Sequence, residues 1–264
     1  MTILETIIQT KKEEVLKLKT QPIPLIVDRK KRNSLTTLLQ NEQLQVIAEV
    51  KRASPSKGDI NIDVDPVQQA VQYERAGAAC ISVLTDAQYF KGSFDDLKAV
   101  AESVDIPVLC KDFIIDPIQI DYAYANGASV ILLIVAALNQ FQLTSLYAYA
   151  KTLSLDVLIE VHNEEELERA LSLDARLIGV NNRNLKTFDV DLTHTAQLAQ
   201  KFPFYEDRFL ISESGMKRAA DAAFVANVGA SAVLVGETLM QSGDIAYTMQ
   251  SFHIKKKVVQ NDKR

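Results

Sequence analysis

The chain has 264 residues, 47% of them hydrophobic and 24% charged, a composition that excludes a disordered or fibrous protein. With 29 Lys and Arg against 34 Asp and Glu the net charge is −5, which argues against a nucleic-acid surface and leaves room for a local basic pocket. Two cysteines make no disulfide framework and have no metal-ligand spacing, so a reducing cytosol is expected. The longest apolar run, Ala128–Leu138 with Ser129 inside it, falls short of the ~20 residues of a membrane span. Early charges (Glu5, Lys11, Lys12) interrupt any signal-peptide core.

Ile3, Ile7, Ile8, Val15 and Leu18 recur at helical spacing among lysines and glutamates, which predicts an amphipathic helix over 3–19. A proline-containing loop and a short Ser-capped segment, Ser34–Gln40, follow. From residue 46 a unit recurs. Short β-branched runs lie at 46–51, 79–85, 106–111, 129–135, 155–161, 176–181, 208–213 and 231–236. Helical periodicity occupies 67–76, 94–104, 117–126, 140–152 and 164–171 between them. Strands alternating with helices predict a parallel α/β fold, and nearly continuous apolar strands predict that both faces are covered. Eight units match a closed (β/α)8 TIM barrel better than a doubly wound sheet. The latter would advertise a Gly-rich first turn, and the nine glycines form no G-x-G-x-x-G and no P-loop. One structural domain is expected: an N-terminal helical extension over 1–45 capping the barrel, the barrel over 46–254, and a solvated tail over 255–264.

In such barrels chemistry collects at the C-terminal strand ends. Strand 1 ends in Glu49 and Lys51, two apart and therefore on one face. Strand 3 ends in Lys111, strand 5 in Glu160 and His162, strand 6 in Asn181 and Arg183, strand 7 in Glu213, Ser214 and Gly215, and strand 8 in Gly236 and Glu237. One charged strand end is ordinarily just solvated; those of strands 1, 3, 5, 6 and 7 together predict a concave cluster whose members tune one another's pKa. Small residues at Ser214–Gly215 and Gly236 sit where these barrels take a phosphate group, and the loop Arg52–Gly58, with Ser56 and Lys57, is placed to close over it. Cys80 and Cys110 read as buried apolar residues, His162 as a hydrogen-bonded support, and His194 and His253 as surface residues.

The segment Ile47–Gly58 (IAEVKRASPSKG) resembles the signature of the indole-3-glycerol phosphate synthase family. The resemblance continues through Ile81–Asp86, Pro107–Asp116, Leu158–His162, Gly179–Leu185, Ile211–Gly215 and Val233–Glu237, in order along most of the chain. It implies a cofactor-free, metal-free ring closure of 1-(2-carboxyphenylamino)-1-deoxyribulose 5-phosphate to indole-3-glycerol phosphate, CO2 and water, by a cytoplasmic carboxy-lyase of tryptophan biosynthesis. By resemblance Lys111 is the general acid at the carbonyl oxygen, managed by Glu49. Glu160 handles protons in dehydration, Lys51 meets the substrate carboxylate, and Asn181 completes the catalytic set. Arg183, Glu213 and Ser214 orient the substrate, Phe113 and Leu133 form an apolar slot for the ring, and Ser56, Lys57, Gly215, Gly236 and Glu237 form the phosphate cradle. Thr238 stands where the family often has Ser and keeps the hydroxyl; Ile118 and Tyr124 depart from the pattern away from the expected mouth. The expected partner is the phosphorylated small molecule, with no nucleic acid or membrane, and pathway enzymes stay unassigned. Two alternatives remain open at this point. One is another phosphate-binding barrel enzyme, such as a sugar-phosphate isomerase or a Schiff-base aldolase; the other is a non-catalytic ligand-binding barrel.

Overall fold

In the computed structural model, which describes residues 2–25, 30–204 and 206–257, eight parallel strands close into a barrel. They are β1 (Gln45–Val50), β2 (Cys80–Leu84), β3 (Val108–Lys111), β4 (Val130–Ile134), β5 (Asp156–Val161), β6 (Leu177–Asn181), β7 (Phe209–Glu213) and β8 (Ala232–Val235). Each pairs with its successor, and β8 returns to β1 through Gln45–Ala48 opposite Ala232–Val235. The predicted runs and the strands differ by one or two residues. β3, for instance, starts after Pro107, whose nitrogen cannot donate but whose carbonyl accepts from Ile81 at 3.0 Å.

The crossover helices begin where the sequence supplies caps. Asp65 accepts from the Val67 and Gln68 amides ahead of α3 (Pro66–Arg75), and Asp116 with Gln119 makes a capping box on α6 (Pro117–Ala125). Asn139 with Gln142 does the same for α7 (Gln140–Thr152), and Asn163 caps α8 (Glu164–Leu171). The remaining crossovers are α4 (Ala87–Phe90) with α5 (Phe94–Ser103), α9 (Thr193–Ala199), α10 (Ala219–Asn227), and α11 (Glu237–Met240) with α12 (Ile245–Phe252). Pro at the first helical position costs nothing, because that N–H has no intrahelical partner.

Strand parity divides the apolar residues into two cores. Val46, Ala48, Val50, Val108, Cys110 and Leu133 face the helical layer. Ile47, Cys80, Leu109, Val130, Leu132, Ile134, Leu158, Leu177, Ile211 and Leu234 fill the barrel interior. Further along the same inward parity stand Glu49, Lys51, Lys111, Glu160, Asn181 and Glu213. On β1, β3, β5, β6 and β7 the inward stripe therefore changes from apolar to polar or charged as the strand nears its C-terminal end, which builds a dry floor under a polar mouth.

The N-terminal extension serves both ends of the barrel rather than the mouth alone. α1 (Ile3–Leu18) lies over the mouth, with Ile3, Leu4 and Ile7 lining its cavity. α2 (Leu35–Leu38) plugs the opposite end: Leu35 and Leu39 join the interior core, and the Leu35 amide donates to Asp156 at the start of β5 (2.8 Å). α1 is fastened by Lys11, whose buried ammonium lies 2.8 Å from Asp112, 2.9 Å from Asp86 and 2.7 Å from Glu14.

Two further expectations are corrected. Lys255–Lys257 do not begin a free tail: Lys255 bridges Gln43, and Lys256 donates from its amide to Glu42 O and from Nζ to Leu39 O, each at 2.9 Å. The rest of the predicted tail, 258–264, lies outside the described residues. His253 is not a surface residue but half-buried, its ring Cε1 3.0 Å from where a β-carbon on Gly77 would stand.

Candidate active site

A cavity of about 730 Å³ opens at the C-terminal strand ends, within the range of small-molecule sites. Every residue expected there lines it except Leu133. Leu133 faces the helical layer, and its neighbours Leu132 and Ile134 line the cavity instead. β4 is apolar at every position, so alternation in its own sequence is silent about which residues turn inward. Phe113 does line the cavity and packs on Phe90, with ring centroids 5.9 Å apart; with Leu132 and Ile134 they make one apolar wall.

Opposite that wall the charges pair. Lys51 Nζ donates to Glu49 Oε1 at 2.6 Å, and Ser82 donates to Glu49 Oε2 at 3.4 Å. Lys111 Nζ stands 3.7 Å from Glu160 and 3.6 Å from Glu213, ion-pair distances too long for good hydrogen bonds. Its protons are thus left for a ligand. Burial works against charge on Lys111, but Glu213, Glu160 and Glu49 outweigh it and hold its pKa well above the lysine range. Burial also opposes ionisation of Glu49 and Glu160. Lys51 and Lys111 reverse that for Glu49; Lys111, His162 and Asn181 reverse it for Glu160, and both carboxyls stay low.

Glu213 goes the other way. Burial, with Glu160 and Glu49 added, pushes its carboxyl up against the pull of Lys111. Its Oε1 is buried without a hydrogen-bond partner. The two carboxyls are pushed apart, Glu160 toward its ionised form and Glu213 toward its protonated form, an asymmetry suited to acid–base work. Room for Glu213 comes from Gly179, where a β-carbon would lie 2.0 Å from Glu213 Oε1.

The third region is made of small residues. Ser214 (φ 64°) and Gly215 (φ 95°) turn left-handed after β7, and Asn182 Nδ2 donates to the carbonyls of Glu213 (2.9 Å) and Ser214 (3.2 Å) to hold that turn. Ser214 Oγ donates to Asn181 Oδ1 at 3.0 Å. A β-carbon on Gly236 would lie 2.7 Å from Glu49 Oε1 and 3.1 Å from Lys51 Nζ, so this glycine brings the loop after β8 against the charged pair. The loop after β1 folds as a two-stranded hairpin, Ala53–Ser54 with Gly58–Asp59, which pattern analysis does not show because each strand is two residues long. It places Ser56 and Lys57 on the cavity, and Lys57 Nζ lies 3.1 Å from the Glu237 carboxylate. The Thr238 hydroxyl, expected to face an anion, donates instead to Met216 O at 2.5 Å and ties the loops after β7 and β8 together. Arg183 lines the cavity while Nη1 donates to Phe188 O at 3.1 Å. Sequence reading missed Phe90, Leu132, Ile134 and Lys217; inward parity finds Leu132 and Ile134 once the register of β4 is fixed by its neighbours.

The model of a family described as indole-3-glycerol phosphate synthase matches residues 4–252. Proteins with that name are similar throughout. The one from Oceanobacillus iheyensis is 52% identical over 246 residues, covering 93% of this chain and 94% of its own. The one from Exiguobacterium sibiricum is 53% identical over 243 residues (92% and 93%), and one from Bacillus cereus 52% over 246 residues (93% and 95%). Motifs, barrel and full-length similarity agree, and the chain belongs to the indole-3-glycerol phosphate synthase family.

Proposed function

We propose that this chain is a carboxy-lyase that closes the pyrrole ring of indole-3-glycerol phosphate, with Lys111 as the proton donor of the first step. The observation that carries the reading is the Lys111 ammonium, kept charged by the carboxyls around it yet free of short hydrogen bonds, facing an apolar wall. The anthranilate ring lies against Phe113, Phe90, Leu132 and Ile134, and its carboxylate meets Lys51. The ring carbon bearing the carboxylate attacks the ribulose C2 carbonyl while Lys111 protonates the carbonyl oxygen. A developing alkoxide is more basic than an amine, so even a lysine with a raised pKa gives up its proton to it. CO2 then leaves and the ring electrons return. Glu160 takes a proton from ribulose C1 as the C2 hydroxyl departs; that proton and the hydroxyl together make the water released, and the new double bond completes the indole.

Asn181 holds Glu160, donating to its Oε1 at 3.1 Å, while Arg183, Glu213 and Ser214 orient the sugar. Ser56, Lys57, Gly215 and Gly236 are placed to take the phosphate. The Glu237 carboxylate repels an anion and neutralises Lys57, so only its backbone N–H suits that role. Residues 46–254 act as the catalytic barrel and 1–45 as the extension that closes it. A phosphorylated small molecule is the partner, with nucleic acid and membrane uninvolved, in keeping with the acidic net charge. Among the described residues no helix is long and apolar enough to cross a membrane, and the cytoplasm is the proposed compartment.

Substrate labelled in the ring carboxylate tests the reading: one labelled CO2 should be released per indole formed, and label retained in the product would overturn it. Gly179→Ala, which forces Glu213 off its seat, should lower kcat by roughly 10²-fold, since displacements near 1 Å cost that much. The check is steady-state kinetics beside a thermal melt. Full turnover in a folded variant would show that the position of Glu213 does not matter.

A further inference from the structure

His162 does not line the cavity, yet it stands behind the carboxylate to which the reaction assigns the second proton transfer. It follows Glu160 by two and is the first residue after β5. Its Nε2 lies 3.3 Å from Glu160 Oε1, an ion-pair contact without hydrogen-bond alignment, and its Nδ1 lies 3.1 Å from Glu166 Oε2 on α8. Glu166 is itself fixed. Its Oε2 accepts the His162 amide at 2.9 Å, its Oε1 accepts from Asn163 Nδ2 at 3.0 Å, and its own amide donates to Asn163 Oδ1 at 2.9 Å. The start of α8 therefore holds the imidazole from one side, and Glu160 stands at ion-pair distance on the other.

The consequence falls on Glu160. Its Oε1 is held twice, by His162 and by Asn181 Nδ2, while Oε2 points to Lys111 at 3.7 Å. We propose that His162 is a positioning residue: set between Glu160 and Glu166, it keeps one oxygen of Glu160 turned away and leaves the other facing Lys111 and the reacting centre. The inference rests on the acid–base role of Glu160 given above. The charged groups facing the clamp are Glu160 on β5 and Glu166 on α8, and Glu160 in turn faces Lys111 from β3 and Glu213 from β7. Burial disfavours the imidazolium, but the two carboxylates overcome it and raise the His162 pKa to about 10. With the folded value above the free one, pairing stabilises the protein fully below pH ~6.5 and is lost only as pH rises through about 10. The clamp is charged across the neutral range.

The chain has three histidines, so imidazole nitrogen NMR on the intact protein resolves the question directly. At pH 8 the His162 ring should be doubly protonated, and Glu166→Gln should lower its pKa by at least ~1 unit, the usual effect of losing an adjacent opposite charge. Kinetics give the second readout. His162→Gln, which keeps hydrogen-bonding capacity and loses charge, should move the acid limb of kcat/KM upward by ~1 unit, because Glu160 loses a neighbouring cation. It should lower kcat about tenfold at the acid end with KM within about threefold, and His162→Lys should restore most of that loss. A merely structural histidine would give the reverse order, Gln silent and Lys damaging. A neutral His162 at pH 8, or an unmoved acid limb in His162→Gln, overturns the proposal. If the wild-type protein forms no indole product, the reaction assignment fails, and the imidazole spectrum still decides the clamp.

Discussion

Lys111→Ala lowers kcat by about 10²–10⁴-fold, the range for removing a positioned proton donor, while the affinity for a phosphate-bearing substrate analogue stays within about threefold. The separation follows from the layout. Lys111 meets Glu160 and Glu213 at the end of β3, whereas the small-residue loops after β7 and β8 and the Ser56–Lys57 hairpin form another part of the cavity. Steady-state kinetics with isothermal titration of the analogue measure both quantities. A near-normal kcat would remove Lys111 from the mechanism, and a parallel collapse of analogue affinity would mean that Lys111 binds rather than reacts. Alanine also leaves Glu160 and Glu213 without their shared cation, so the folded fraction is to be confirmed by circular dichroism.

Lys11→Met has the largest expected effect on stability. The Lys11 ammonium is buried with Asp86 and Asp112, which are themselves almost inaccessible. Removing one partner of a buried ion cluster strands the others at a cost of about 3–5 kcal/mol. For a chain this long that corresponds to a fall of roughly 6–20 °C in Tm, or to early undocking of α1 alone. Burial opposes the Lys11 charge, yet Asp112 and Asp86 raise its pKa beyond the lysine range. That stabilisation is complete below pH ~10.5 and lost only at higher pH, so acidification to pH 6 should leave the deficit of the variant unchanged. Thermal melts and limited proteolysis within 3–18 check it. The triple change Lys11→Met, Asp86→Asn, Asp112→Asn should recover part of the loss. Because Ile3, Leu4 and Ile7 line the mouth, Lys11→Met should also raise KM. A variant with unchanged melting and unchanged KM would show that the cluster does not hold α1.

The barrel was legible in the sequence because eight short, nearly continuous apolar runs recur, with 3.6-residue periodicity in segments between them. The candidate site was legible because charged residues interrupt apolar strands at one end. Parity helped at β1, where Glu49 and Lys51 are two apart and share a face. It failed at β4, where Leu132, Leu133 and Ile134 are chemically alike and only pairing with β5, Ile134 opposite Glu160, sets the direction. Glu14 is a local partner of Lys11, but Asp86 and Asp112 lie 75 and 101 positions further along the chain, a separation no local pattern encodes. The role of α2 was hidden for the same reason. Ser34 marked its start, but that Leu35 and Leu39 close the far end of the barrel depends on the residues they meet. His162 was visible as a support, whereas the identity of what it supports needed Glu166 brought back by the first turn of α8.

The most direct test of the account is turnover of 1-(2-carboxyphenylamino)-1-deoxyribulose 5-phosphate by the purified protein, followed by indole emission. The chain has eight tyrosines and no tryptophan, so the product supplies the only indole in the mixture. Emission should rise, saturate with substrate and be nearly absent with Lys111→Ala. No rise from the folded wild-type protein at saturating substrate would contradict it.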